Sequence, residues 1–239
     1  MKEKRPEFKL FNLFPLTIYK SKIILTDSDK KDLENEIFDM EKKSQNLDYK
    51  SENKAWTGDT QGYENLHNNI KFKKLFGEIE NHIKKYLELL NIDLEKIDIF
   101  FQRAWSTISK GAENISPHAH DQSHISFAYY LKKNSTDSKI IFLDENRSNE
   151  IIPRLFTSKS VDKKKIIKKR DQLNSPSATF DVNEGDIVIF PSKTLHSTQA
   201  NVKNDYRISL SADVSILSKN SENLEHLIPP FEKWKKFSN

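Results

Sequence analysis

The sequence predicts a mainly β protein with flanking helices, folded as a double-sheet jelly roll. Two features carry that expectation. Ahead of residue 97, apolar residues recur at the spacing of amphipathic helices. From Ile97 onward the period falls to two, and short β-branched and aromatic runs follow one another. The chain has 239 residues, of which 36% are hydrophobic, and its fifteen Phe can fill a sizeable core.

The elements follow in order. Residues 27–47 read as a helix, with Asp27 or Ser28 able to cap it and Leu33, Ile37 and Met40 on one face. A second helix is expected over 64–90, where Leu75, Ile79, Ile83, Leu87 and Leu90 form the apolar stripe and Lys84 and Lys85 lie opposite. Ile97, Ile99, Phe101, Arg103 and Trp105 then alternate as one face of a strand. Further strands are expected at 124–132, 139–143, 177–182, 186–190 and 206–215, with Glu184-Gly185-Asp186 as a turn between two of them. The expected organisation is a single domain over 1–239: a helical part over about 1–96, a jelly-roll core over about 97–216 and an insert over about 145–176.

That insert is basic. From Arg154 to Arg170 there are eight Lys or Arg and one acid, Asp162. A connection this long is a lid, a binding loop or a mobile insert, and its charge suits an anionic or carrier-tethered partner. Phe156 is the one aromatic within it, so the stacking platform of a single-strand nucleic-acid binder is missing. The net charge of +4 is modest, with both signs interspersed. The absence of cysteine excludes disulfides, thiolate metal sites and a cysteine nucleophile, and suits a reducing compartment. The basic N-terminus is followed by no long apolar run. No signal peptide or membrane span is expected, and the expected location is the cytoplasm.

The chemistry concentrates in histidines. Within "ENISPHAHDQSHISFAYYL" (113–131), His118, His120 and His124 fall in seven residues, from a total of seven histidines. In an extended segment, residues i and i+2 face one side, so His118 and His120 can present both imidazoles to a metal ion. Pro117 favours that extended geometry. A distant ligand is available in His196, which follows the buried run Ile187 to Phe190. Eleven residues later, Arg207 shares a strand face with Ser209 and Ser211, while Ile208, Leu210 and Ala212 face away. A guanidinium among small hydroxyls is suited to gripping a carboxylate.

The ordered set "P-H-x-H", "YYL", "G-D-x-V-x-F-P-S-x-x-x-H" and "R-x-S" resembles the iron(II)- and 2-oxoglutarate-dependent oxygenases. More narrowly, it resembles a family of such oxygenases common in phage and marine bacterial genomes. The early Leu13-Phe14-Pro15 and the stretch "AWTGDTQGYENLH" (55–67) add to the likeness, which spans about residues 10 to 215. The resemblance implies a cupin-like double-stranded β-helix. It implies Fe(II) and 2-oxoglutarate as cofactors, with His118 and His196 as iron ligands and Arg207 gripping the cosubstrate, helped by Ser209 and Tyr130. Molecular oxygen would be consumed and succinate and carbon dioxide released, with hydroxylation of the substrate as the default outcome.

One position departs from the superfamily pattern, in which two His and one carboxylate hold the iron. His120 stands where the acid is expected. His120 is the favoured third ligand, in keeping with the narrower family. Alternatively it turns away and leaves a position for water or chloride, or Asp121 rotates in. His124, Arg103 and Trp105 are candidates for the cavity border, and Trp56 and Asp59 for a loop over it. His67, His82 and His226 are expected to be solvated on helical stretches. Two other classes stay open: a three-histidine cupin-type metalloenzyme that does not use 2-oxoglutarate, and a non-catalytic binding module on a degenerate oxygenase fold.

Overall fold

A computed structural model of the chain describes residues 9–44, 54–133, 139–200 and 206–238. Two antiparallel sheets lie at its centre. The larger has six strands: β1 (Tyr19–Lys22), β2 (Trp56–Thr57), β3 (Ile97–Lys110), β4 (Ile125–Lys133), β7 (Asp186–Pro191) and β9 (Tyr206–Ser218), in the order β1-β7-β4-β9-β3-β2. The smaller has three: β5 (Ile140–Leu143), β6 (Ser177–Phe180) and β8 (His196–Thr198), in the order β6-β5-β8.

Helices α1 (Asp27–Ser44) and α2 (Lys73–Leu89) cover the outer face of the large sheet. Leu33, Ile37 and Met40 of α1 and Leu75, Ile79, Ile83 and Leu87 of α2 pack in one buried cluster with Ile125, Phe127 and Tyr129 of β4 and Ile208, Leu210 and Ala212 of β9. Each fully buried side chain of this size contributes roughly 1.5–3 kcal/mol. A second cluster fills the layer between the sheets: Tyr130, Ile140, Phe142, Val182, Val188 and Phe190. Tyr129 and Tyr130 thus divide between the two layers, as strand alternation requires.

The helix ends differ from the sequence expectation. Thr26 caps α1, its hydroxyl accepting from the Asp29 N–H at 3.1 Å, in place of Asp27 or Ser28. Residues 45–47 lie outside the described residues. The α2 helix starts nine residues late. Two 3-10 turns precede it, the second opened by the Asn69 side chain, which accepts from the Lys71 N–H at 3.0 Å. Leu90 lies past its end and is partly exposed.

The long pair β3 and β9 is the spine of the large sheet, in register from Ile97↔Ser218 to Lys110↔Tyr206. A bulge between Phe101 and Arg103 corrects the expected alternation. Ile97, Ile99 and Phe101 pack toward the helices, but the extra residue, Gln102, reverses the parity. Ala104 and Ile108 then continue the helix-facing side, and Arg103 and Trp105 turn to the inner face.

The basic insert leaves β5 and returns at β6. It holds one short helix, α3 (Lys159–Lys163), and its acid Asp162 pairs with Arg170 at 2.6 Å. Phe156 is buried beneath it. His226 is exposed and outside any helix, and His82 bonds the Tyr19 hydroxyl through Nδ1 at 2.8 Å. Among the described residues, no helix is long and apolar enough to cross a membrane.

Candidate metal centre

The segment after β3 runs extended through His118 and His120 and attaches to the smaller sheet. His118 and His196 exchange both backbone hydrogen bonds, each at 2.9 Å, and the His120 N–H donates to Ser192 O at 3.0 Å. This pairing sets the first histidine beside the distal one although 77 intervening positions separate them in the chain. Ring centres lie 4.3 Å apart for His118 and His196, 5.0 Å for His118 and His120, and 5.4 Å for His120 and His196. One ring nitrogen from each residue falls within 4.8 Å of the other two, so the three can hold one metal ion.

Each imidazole is oriented through Nδ1. His118 Nδ1 meets Ser116 O at 2.8 Å, His196 Nδ1 meets Thr194 O at 2.9 Å, and His120 Nδ1 meets the Asp213 carboxylate at 3.0 Å. Donating Nδ1–H in all three leaves the Nε2 lone pairs for the metal. Burial, followed by the neighbouring imidazoles, pulls His196 down to about 3, and burial also pulls His118 below its ordinary value. Both are therefore neutral at physiological pH, the state that binds a metal without first losing a proton.

Arg207 is almost wholly buried. Its Nη2 donates to Ser109 Oγ at 3.0 Å and to Thr198 Oγ1 at 3.2 Å, and Thr198 is two residues past His196. Tyr130 and Ser209 stand opposite each other on β4 and β9, both buried on the inner face. Burial pushes the Tyr130 hydroxyl up to about 12, with the Arg207 charge pulling the other way, so it remains a protonated donor.

The cavity border differs from expectation. His124 turns outward: its ring is exposed and Nδ1 accepts from the Ile216 N–H at 2.9 Å. Asp121 is also exposed and does not approach as a ligand, whereas His120 is buried in the cluster. Trp105 is buried, with its ring centre 5.6 Å from that of His120. Arg103 stacks over Trp105 at 5.3 Å. Asp59 reaches the site, 3.9 Å from Arg103 Nη1, while Trp56 turns to α1 and donates to Ser44 Oγ at 2.8 Å. His67 is partly buried between Phe76 and Phe101, not solvated.

Sequence reasoning missed Asp213. It is fully buried on β9, and its Oδ2 accepts from Arg103 Nε at 2.8 Å, Arg103 Nη2 at 2.6 Å and Gln122 Nε2 at 2.8 Å. Burial works against its charge, but the hydrogen bonds from His120, Arg103 and Gln122 outweigh that and hold the carboxyl down to about 2. The signal was present, since Asp213 continues the alternation of Arg207, Ser209 and Ser211.

Residues 103–213 match the sequence model of a family described as "Putative 2OG-Fe(II) oxygenase". The matched stretch opens at Arg103, closes at Asp213 and contains all three histidines and Arg207. Solved structures give the same fold. The epimerase SnoN from nogalamycin biosynthesis, described as alpha ketoglutarate dependent, superposes with a TM-score of 0.54 at 12% identity, covering 85% of this chain and 81% of its own. HygX from Streptomyces hygroscopicus, solved with nickel and 2-oxoglutarate bound, gives 0.50 at 9% identity over 84% and 83%. A Pseudomonas putida prolyl-4-hydroxylase gives 0.50 at 10% over 84% and 92%. No curated protein sequence matches the chain. Residues 103–213 are thus similar to that oxygenase family, and the fold of the chain is the one these three solved proteins share. The site has the chemistry for the Fe(II) and 2-oxoglutarate of that family's description: imidazole nitrogens suit iron, and a buried guanidinium among hydroxyls suits a carboxylate.

Proposed function

We propose that the chain hydroxylates an organic substrate, with His118, His120 and His196 holding Fe(II) and with Arg207, Ser209 and Tyr130 holding 2-oxoglutarate. The observation that carries this reading is the convergence of three imidazoles beside a buried guanidinium that reaches Thr198, two residues from His196. When bound, the two cofactors and molecular oxygen supply the oxidising power, and 2-oxoglutarate leaves as succinate and carbon dioxide.

The protein's own groups bind, orient and exclude water. Arg207 presents a fixed cation to the far carboxylate of the cosubstrate, and its burial strengthens that attraction. Tyr130 and Ser209 offer hydroxyl donors on the same face. Phe142 and Phe190 pack on the His196 ring, with centres 6.4 and 4.8 Å away, and keep water from one side. Trp105 walls the other side, and Arg103 and Asp59 border the space left for the substrate. The basic segment 154–170 supports an anionic or carrier-tethered substrate. Replacing Lys163, Lys164, Lys165, Lys168 and Lys169 with Gln should then raise the substrate KM, and an unchanged value removes that part of the reading.

The test is anaerobic titration followed by turnover. Fe(II) plus 2-oxoglutarate should give a weak visible charge-transfer band, and admission of oxygen should release succinate. His196→Ala should abolish both. Arg207→Ala should retain iron but raise the 2-oxoglutarate KM by roughly tenfold to several hundredfold, the loss of a charge-assisted pair. Folded protein with no band and no succinate contradicts the reading in favour of a binding module. Metal-dependent turnover indifferent to 2-oxoglutarate contradicts it in favour of a three-histidine cupin enzyme.

A further inference from the structure

We propose that Asp213 is a positioning residue that supplies, through His120, the negative charge this metal centre lacks among its direct ligands. This rests on the reading of His120 as a ligand. A carboxylate with no solvent exposure is costly unless its oxygens are fully paired, and Asp213 is paired asymmetrically. Oδ1 is turned to the metal side, where it takes the His120 Nδ1–H at 3.0 Å and the Ser123 hydroxyl at 3.3 Å. Oδ2 is turned away and is clamped by Arg103 and Gln122. Ser192 Oγ contacts Ser123 Oγ at 2.7 Å and Ser126 Oγ at 2.8 Å, so the groups around Oδ1 are themselves held.

The other two histidines give Nδ1–H to neutral backbone carbonyls. His120 alone is backed by a formal charge. A carboxylate on Nδ1–H draws the proton and makes Nε2 a stronger, more anionic donor. The charges around it sum to the right value: Asp213 and Asp59 flank the single guanidinium of Arg103, leaving one net negative charge. That is the charge a directly coordinated carboxylate would bring. Trp105, buried against His120, keeps water from diluting the effect. Arg103 thus acts as an attenuator, deciding how much of the Asp213 charge reaches the metal.

The experiment is anaerobic titration of wild type, Asp213→Asn and Arg103→Gln with Fe(II), then 2-oxoglutarate, reading iron affinity and the energy of the visible band. Asp213→Asn should weaken iron binding by about tenfold or more and move the band to higher energy, since a less electron-rich iron gives up its electron less readily. Arg103→Gln should move the band to lower energy. A wild type with no band contradicts the functional reading itself. A normal wild-type band with Asp213→Asn unchanged in affinity and band overturns the role of Asp213 alone. Should Asp213→Asn fail to fold, zinc-loaded wild type with labelled histidine serves. The His120 ring N–H should resonate furthest downfield of the three, and a position no further downfield than those of His118 and His196 overturns the proposal.

Discussion

At the scale of single residues, the site depends on what each side chain can donate or withhold. Tyr130 keeps a proton to donate, because burial holds its hydroxyl protonated. Tyr130→Phe is expected to raise the 2-oxoglutarate KM by roughly two- to tenfold, the worth of one hydrogen bond, with iron affinity unchanged. Steady-state succinate release against 2-oxoglutarate concentration checks it. The histidines were legible because strand spacing alone puts residues i and i+2 on one side. Asp213 was not, although it continues the alternation of Arg207, Ser209 and Ser211. The ligand pattern points to an acid close after His118, at position 120 or at Asp121, and spacing within one segment does not show which acid arrives from another strand. The sequence pattern groups Arg103 and Trp105 with Ile97, Ile99 and Phe101, because nothing in it marks the bulge at Gln102 that turns them to the inner face.

At the scale of elements, the long ones could be read, as could the short β5 and β6, whereas β1, β2 and β8 could not. The stripes of α1 and α2 repeat over several turns, β3 and β9 are long enough to show alternation, and β4 and β7 stand out as β-branched and aromatic runs. β1, β2 and β8 have four, two and three residues, too few for any period. They exist because distant partners pair with them, as Tyr19 does with Ile189 and Ser197 with Ile141. β8 carries His196, so a proposed ligand rests on an element that no local pattern announces. The turn before α2 also holds a testable feature. His67 is packed between Phe76 and Phe101 with its Nδ1 buried and without a partner among the described residues, and burial pulls its pKa below 6.5. The unfolded chain therefore takes the proton more readily, and stability falls as pH drops below about 6.5. His67→Phe should flatten the loss between pH 7.5 and 5.5 in paired denaturant titrations. An identical pH dependence in the two proteins contradicts this.

At the scale of the whole molecule, the large sheet divides two tasks. Its outer face, covered by α1 and α2, is apolar and structural. Its inner face meets the small sheet and carries Arg207, Ser209, Asp213 and Tyr130 toward the histidines. The jelly-roll class followed from the change of period at Ile97. The division of labour between faces could be read along β9, where apolar and polar residues alternate without a break. Because the metal would join segments from both sheets, its binding should stabilise the folded chain, by about 2.7 kcal/mol at a hundredfold excess over Kd. That corresponds to a Tm rise of roughly 5–10 °C for a chain of this size. Thermal unfolding with and without Fe(II) under argon should show the rise in wild type and not in His196→Ala.

The most direct test of the three-imidazole centre is X-ray absorption at the iron edge of the anaerobic complex with Fe(II) and 2-oxoglutarate. The arrangement of His118, His120 and His196 predicts scattering from three imidazole rings, falling to two in His120→Ala. Two rings in the wild type, unchanged in that variant, would contradict it.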